Sequence, residues 1–364
     1  MTTEMNQFDI TKQLVAAQGN GFQLNDMTTQ VNMGNMAQPS LLTAIMGAAS
    51  VTGKEYLDGT NIFEYDETNY TPATMNGKDF SQKGKRLSTD KPRNRFFEVG
   101  SKGISLNVSP KDVNRRRRPG STEHLALEDI LNEQIMKAEG AVAFEEELES
   151  AQILTQGTNR TAGGPTPSYD FHDDILGSSR PAATTINFAG TAPVASTAIR
   201  NQTKVLRNRA AKYGLQVTGF DVIAGDDFFN AAYEYEKKIS IARDLRQQLD
   251  LVSQAVPVLV NGSFQYDNFD SPVSGVRYIN YSASLAGSKL IADDAAYLIP
   301  RLSGDVLVRK VYAPAQTTTY VNTVAQELYA WFYQDEFEGV TGFYEQNSLM
   351  TLPRPDLIIS LVLA

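Results

Sequence analysis

Residues 121–157 read STEHLALEDILNEQIMKAEGAVAFEEELESAQILTQG and carry the strongest secondary-structure signal in this 364-residue chain. Apolar residues recur at helical spacing along the stretch, at Leu127, Ile130, Leu131, Ile135, Ala138, Val142, Leu148 and Ala151. Ser121 or Thr122 can cap the N-terminus, and Gly157 follows the last turn as a stop signal. The pattern predicts one long helix over about 122–156.

The predicted helix and the segment before it carry opposite charges. Residues 78–118 hold thirteen basic and four acidic side chains, a net charge of +9, and end in NRRRRPG at 114–120. Residues 123–149 hold nine acidic side chains and one lysine, a net charge of −8. These opposed charges favour a contact between the two kinds of segment, and the open alternative is that both are solvated faces.

The composition limits the classes of protein that fit. The chain has 33 Lys+Arg against 42 Asp+Glu and a net charge of −9, whereas a generic polyanion binder is usually basic. The absence of cysteine excludes disulfides, thiolate zinc sites and a cysteine nucleophile. The N-terminal residues lack a secretory pattern, and the apolar stretch 41–51 is too short to span a bilayer. We expect a soluble protein made in the cytoplasm.

The rest of the chain predicts an arm, a hairpin and an α/β unit. The first 50 or so residues, rich in Asn, Gln, Met and Gly, lack material for a core and predict an extended arm. Residues 56–113 alternate β-type runs with turn residues, which predicts a long two-stranded excursion. SYDFHDDIL (168–176) and TTINFAG (184–190) are predicted to form a hairpin.

The predicted α/β unit follows. We expect a helix over about 195–213 that stops at Gly214, a buried strand within 215–225, a helix that begins at Asp226 or Asp227, and strands to the C-terminus.

Candidate chemistry is sparse. His172 lies among Asp170, Asp173 and Asp174, but adjacent strand positions point to opposite faces, so a polar turn is favoured over a metal site. The adjacent acids Asp226-Asp227 could serve a carboxylate hydrolase, although helix caps are commoner there. The aromatic run 329–333 could stack bases, but strand spacing favours a sheet buried on both sides.

Three stretches resemble the phage major capsid protein of the lambda type, the major capsid protein E family of the HK97-fold superfamily. They are NRRRRPGSTEHLALEDILNEQI (114–135), AAYLIPRLSGDVLVRKVYAPAQTTTYVNT (295–323), which contains the turn Tyr312-Ala313-Pro314, and NSLMTLPRPDLIISLVLA (347–364). The resemblance implies an α+β, HK97-like capsid fold. Its parts would be an N-terminal arm (1–55), an extended β-hairpin E-loop (56–118), a P-domain with a spine helix and a β-sheet (119–194 and 316–364), and an α/β A-domain (195–315).

The resemblance also implies a function and partners. It implies a virion protein, assembled in the host cytoplasm into hexamers and pentamers that tile an icosahedral shell around double-stranded DNA. A separate scaffolding protein and a portal would assist assembly, a decoration protein could bind outside, and DNA would be contacted non-specifically. It implies no membrane partner, cofactor, metal or catalytic residue. The alternative from the residues is a DNA-binding protein that uses the basic segment 78–118 directly.

In the family fold the E-loop of one subunit lies over the spine-helix region of its neighbour. The charge pattern then predicts inter-subunit contacts between two sets of residues: Lys83, Lys85, Arg86, Arg93, Arg95, Arg115, Arg116, Arg117 and Arg118 on the loop, and Glu139, Glu145, Glu146, Glu147 and Glu149 on the helix. Reversal of Glu145, Glu146 and Glu147 to Lys is expected to impair shell formation and leave the subunit folded. Phosphate contact by the arginine run stays an alternative.

Overall fold

The computed structural model of the protein describes most of the chain from residue 93 onward and two shorter parts before it. The described residues are 24–26, 53–67, 93–109, 111, 127–160, 168–189, 194–244, 258–260, 264–266, 268–271, 274–281, 284–285, 288–303, 307–315, 317, 320, 322–335 and 339–364. The four arginines at 115–118 and most of the predicted arm therefore lie outside the described residues.

Three α-helices and eighteen strands lie in the described part of the chain. The helices are α1 (Leu127–Gln156), α2 (Val194–Lys212) and α3 (Asp226–Asp244). The strands are β1 (Leu24–Asp26), β2 (Lys54–Tyr56), β3 (Ile62–Glu67), β4 (Arg93–Glu98), β5 (Ser101–Val108), β6 (Thr184–Ile186), β7 (Val217–Ala224), β8 (Val258–Val260), β9 (Phe264–Tyr266), β10 (Asn268–Asp270), β11 (Arg277–Asn280), β12 (Ser284–Leu285), β13 (Ser288–Lys289), β14 (Ala295–Leu302), β15 (Arg309–Tyr312), β16 (Tyr329–Asp335), β17 (Gly339–Thr351) and β18 (Ile359–Leu363).

The predicted long helix is confirmed as α1, 30 residues that end at Gln156. Gly157 stops it as predicted: its φ of 75° is left-handed, and its N–H donates to the Ile153 carbonyl at 2.9 Å. The Arg180 guanidinium donates to the Leu154 carbonyl at 2.9 Å and to the Thr155 carbonyl. These donors satisfy carbonyls that the last turn leaves without a helical partner.

The first six-stranded sheet holds most of the C-terminal strands. Its order is β1-β16-β17-β15-β2, and β5 also pairs with the long strand β17. In β16, Tyr329, Ala330 and Phe332 are fully buried and Trp331 is nearly so, which confirms the prediction of a strand buried on both sides. Burial on both faces leaves these rings closed to nucleotide bases.

The second six-stranded sheet has the order β10-β11-β7-β14-β18-β6. One face, which includes Phe220, Val222 and Leu298, packs against Ile199 and Leu206 of α2 and against Phe228 and Ala232 of α3. This sheet joins strands from the chain segments 119–194, 195–315 and 316–364, because β6 and β18 pair with each other and β18 pairs with β14.

The long helix connects the two sheets. Its N-terminal and middle turns pack Ile130, Ala138 and Val142 against Phe332, Val340 and Tyr344 of the first sheet. Its last turn packs Ile153 and Leu154 into a cluster with Ile223 and Ile299 on the other face of the second sheet. The helix thus fixes the position of one sheet relative to the other.

The predicted hairpin at 168–190 is wrong. His172–Leu176 forms a π-helical turn that ends at Gly177 with φ 65°, and β6 pairs in parallel with β18. The predicted two-stranded excursion is present as β3 paired with β4, from Ile62↔Glu98 to Glu67↔Arg93. The next strand, β5, leaves this ribbon and pairs with β17 over eight residues.

Candidate assembly surfaces and the buried charge cluster

The acidic residues at the C-terminal half of α1 point into the subunit. Glu147 and Glu149 are each 2% exposed, and the side chain of Glu146 is 12% exposed. Burial of a carboxylate is costly unless it is paired or hydrogen-bonded. The partners come from three other elements and form what we call the charge cluster, with members Lys102, Glu145, Glu146, Glu149, Arg160 and Lys310.

Lys310 of β15 is the most deeply buried member of the charge cluster. It is 0% exposed, and its ammonium forms an ion pair with Glu146 Oε1. The Gln346 amide donates to the same oxygen at 3.0 Å, and the ammonium lies 5.2 Å from the centroid of the Tyr312 ring. Burial lowers the pKa of Lys310, against the attraction of the Glu146 carboxylate. Lys310 therefore ties β15 to the middle of α1.

Lys102 of β5 lies beside Lys310 in the same cluster. Its ammonium pairs with Glu149 and lies 3.8 Å from Glu145 Oε1, which also accepts from Arg160 Nε at 2.8 Å. Burial lowers the pKa of Lys102 to about 7, against the raising effect of Glu145. An open pocket of about 340 Å³ lined by Lys102, Glu145 and Arg160 lets solvent reach this edge of the cluster.

Glu147 bonds away from the charge cluster. The Tyr281 hydroxyl donates to Glu147 Oε1, and the Tyr281 N–H donates to the Ala224 carbonyl at 2.8 Å. This pair fastens α1 to the edge where β7 and β11 end. The carboxylates of Glu145, Glu146, Glu147 and Glu149 thus all have partners inside one subunit.

Two of the stretches that carry the family resemblance meet in space. The Ala313 N–H donates to the Asn347 carbonyl at 2.9 Å, and the Asn347 amide donates to the Pro314 carbonyl at 3.1 Å. Tyr312, fully buried, stacks on Tyr56 of β2 with ring centroids 5.2 Å apart. The Tyr-Ala-Pro turn is therefore a junction between β2, β15 and β17.

A second ion pair lies at that junction. Glu327 Oε1 accepts from Lys54 at 2.8 Å and from the Tyr56 hydroxyl at 2.6 Å. Burial acts to raise the pKa of Glu327, but the two hydrogen bonds outweigh it and hold this pKa below its usual value. Burial and the Glu327 bond raise the pKa of Tyr56. The pair fixes the last residues of the predicted arm to the first sheet.

The predicted contact residues are placed as follows. Lys83, Lys85, Arg86 and Arg115 to Arg118 lie outside the described residues. Arg93 lies in β4, and the Arg95 guanidinium donates to the Ile175 carbonyl of its own chain at 3.2 Å. Glu139 is half-buried, and burial raises its pKa. An inter-subunit contact by any of them stays a prediction, while Arg95 and the glutamates at 145, 146, 147 and 149 already have partners in their own chain.

These intrachain contacts change one expectation. Reversal of Glu145 and Glu146 to Lys would place two cations beside Lys102, Lys310 and Arg160. Reversal of Glu147 would bury a third cation against the Tyr281 hydroxyl. Like charges at such distances repel strongly where the dielectric is low. The triple reversal is therefore expected to unfold the subunit, so it cannot test assembly alone.

Two exposed apolar surfaces are other candidates for contacts between subunits. On the outward side of α1, Met136 is 63% exposed and Phe144 is 37% exposed, with Gly140 between them at i+4 spacing. Open space lies where a Cβ of Gly140 would stand. On the hairpin, Phe96 of β4 is 63% exposed and Ile62 of β3 is 48% exposed. We call the first set the helix notch and the second the hairpin knob.

The remaining candidate sites are placed in the core or at turns. His172 is buried against Gly157, whose own Cβ position would lie 2.7 Å from His172 Cδ2. Asp226 opens α3 and accepts from Asn280 and Lys289 at 3.1 and 3.0 Å. The described residues contain no group of three His, Asp or Glu side chains placed to hold a metal. No described helix combines the length and apolarity that crossing a membrane requires.

Sequence reasoning missed the basic partners of the charge cluster. Lys102 and Lys310 are separated by about 200 residues and meet only through the pairing of β5 and β15 with β17. The available signal was Lys310 among the apolar residues Val308, Val311 and Tyr312, because a lysine buried in such a strand needs a carboxylate partner.

Comparisons with known proteins identify the family and the fold to which this arrangement belongs. Residues 55–363 match the family described as phage major capsid protein E. A curated relative, the major capsid protein of Pseudomonas phage KPP10, is 23% identical over 272 residues, which cover 69% of this chain and 73% of the relative. A crystal structure of a capsid protein assigned to a prophage of E. coli CFT073 is similar with a TM-score of 0.50 and 13% identity, over 94% of this chain and all of that one.

The fold is thus the α+β fold of phage capsid proteins, with the sheets, long helix and ribbon described above. The chain belongs to the phage major capsid protein E family, whose match covers nearly all of it from residue 55 onward. The expected family and fold class are confirmed. The alternative of a DNA-binding protein that acts through 78–118 gains no support from these relatives.

Proposed function

We propose that this chain assembles into hexamers and pentamers that close an icosahedral shell around double-stranded DNA. The family match over residues 55–363 carries the proposal. The role is structural, not catalytic. Assembly would take place in the host cytoplasm with a separate scaffolding protein and a portal, and a decoration protein could bind outside the finished shell.

The four-part division of the chain is proposed with it. The parts are an arm (1–55), an E-loop (56–118), a P-domain (119–194 and 316–364) and an A-domain (195–315). The β3–β4 ribbon, the first sheet with α1 and the second sheet with α2 and α3 agree with the last three parts. The sharing of one sheet by β6, β14 and β18 supports a P-domain and an A-domain that move as one body.

We infer that the hairpin knob of one subunit docks in the helix notch of the next. Phe96 is exposed on one face of the β3–β4 ribbon, while Phe63 and Phe97 on the other face are buried in the subunit. Gly140 leaves room on the helix for a ring between Met136 and Phe144. Burial of one such aromatic side chain contributes about 1.5 to 3 kcal/mol. Repeated around each capsomer, this contact is stronger than exposed ion pairs of about 0.2 to 1 kcal/mol.

Substitution at the notch and knob tests this contact. Met136→Ser and Phe96→Ser should each leave the circular dichroism spectrum of the subunit unchanged and reduce the yield of shells seen by negative-stain microscopy. Val194→Ser, an exposed aliphatic position at the start of α2 that is 65% exposed, is the matched control and should assemble normally. Normal shell yield from both Met136→Ser and Phe96→Ser would refute the docking model.

A further inference from the structure

Among the described helices, α2 is the one whose charged side chains all have the same sign. Its 19 residues include five basic side chains and no acidic one, in a chain whose net charge is −9. Ile199, Leu206 and Ala210 face the core. Four cations, Arg200, Lys204, Arg207 and Lys212, are exposed on the other side and form what we call the basic stripe.

The basic stripe is available for a partner. Among the described residues, none of its four side chains forms an ion pair with a carboxylate. The fifth cation, Arg209, is turned away and donates to the Asp356 carbonyl at 2.6 Å. The Arg207 guanidinium lies 5.6 Å from the centroid of the Phe220 ring, which limits its movement.

The length of the stripe suits a nucleic acid backbone. From residue 200 to residue 212 a helix rises about 18 Å, which equals roughly five steps of a DNA strand at about 3.4 Å each. Exposed polar side chains on the same helix are Asn201 and Asn208 between the cations and Thr197 just before them, and such side chains commonly donate to phosphate oxygens.

The same surface is a poor protein interface. Helix α2 contains no aromatic residue, and its exposed large apolar residues are Val194 and Val205. Protein interfaces concentrate aromatic and apolar residues at their cores, whereas nucleic-acid interfaces are polar, wet and basic. An acidic protein segment is therefore the weaker candidate.

We propose that the basic stripe of α2 contacts the phosphates of duplex DNA, and that this face of the α/β unit is turned toward the enclosed genome. The inference rests on the proposed shell function and names the surface through which DNA is touched. The excess of negative charge on the rest of the chain keeps the contact weak, so the packed duplex can move along the wall.

The test compares two charge-matched variants of the full chain, kept unassembled by dilution. Arg200→Gln/Lys204→Gln removes two cations from the stripe, and Lys237→Gln/Lys238→Gln removes two exposed cations of α3. Binding of a fluorescent 30-base-pair duplex of random sequence is measured by anisotropy at several NaCl concentrations. Each phosphate contact changes the slope of log Kobs against log salt by about 0.9, so the stripe variant should lose about 1.8 in slope and bind roughly 60-fold more weakly at 0.1 M.

Negative-stain microscopy of the same variants, at concentrations that allow assembly, separates the outcomes. Weaker duplex binding with normal shells in the stripe variant, and near-normal binding in the control, supports the proposal. Equal losses in both variants would mean that only net charge matters, and a stripe variant that loses shells but keeps DNA affinity would make the stripe a protein contact; either result overturns it. Failure of the unsubstituted chain to form shells would refute the proposed function instead.

Discussion

Substitution of Glu146 by Gln isolates the Lys310 ion pair. The change keeps the size of the side chain and an oxygen for Gln346 but removes the charge opposite an ammonium that is fully buried. Loss of one partner from a buried pair typically costs about 3 to 5 kcal/mol, because the other charge is left uncompensated. The lowered pKa of Lys310 limits the cost, since the ammonium can release its proton.

Urea unfolding at pH 7 measures this cost. Trp331, the single tryptophan, lies in β16 and is 7% exposed, so its emission reports loss of the first sheet. With a slope of about 3 kcal/mol per molar urea, the midpoint of Glu146→Gln should fall by roughly 1 to 1.7 M. The double variant Glu146→Gln/Lys310→Met should recover most of the loss. A decrease of less than about 1 kcal/mol in the free energy of unfolding of Glu146→Gln, or a double variant as unstable as the single one, would refute the reasoning.

Three further substitutions test other contacts by the same urea assay. The pKa of Lys102 is lowered to about 7 from 10.5, so between these pH values the unfolded chain binds more protons than the folded one. The free energy of unfolding should therefore rise with pH in this range, by at most about 1.4 kcal/mol per pH unit. Lys102→Met should reduce that rise, and an unchanged pH profile would exclude this titration. Gly157→Ala should cost about 1 to 3 kcal/mol because of its positive φ and its contact with His172. Gly140→Ala, at an exposed helical position, should instead raise the free energy of unfolding by about 0.5 to 1 kcal/mol. A lower free energy of unfolding would contradict the open space beside this glycine.

The sequence predicted the elements whose signals are local. The period of α1, the stops at Gly157 and Gly214, and the strand in 329–333 each depend on neighbouring residues, and the structure has them at the predicted places. Local signals also misled. The alternating pattern of 168–176 was interpreted as a strand, but its backbone closes a π-helical turn before the left-handed Gly177.

The charge pattern was the least predictable feature. Glutamates at 145, 146, 147 and 149 occupy every side of one helical turn, so periodicity cannot tell which are solvated. Their partners come from β5, β15 and the end of β11, brought together by pairings across about 200 residues. Three cations, Lys102, Arg160 and Lys310, thus offset part of the net charge of −8 inside the subunit, at the C-terminal end of the helix.

The most direct test of the account is electron microscopy of the full chain after overexpression. We expect closed shells or capsomer rings, and a reconstruction in which the β3–β4 ribbon of one subunit covers Met136 and Phe144 of the next. A strictly monodisperse monomer that binds duplex DNA with steep salt dependence, and forms no rings, tubes or shells at any concentration, would contradict the central claim.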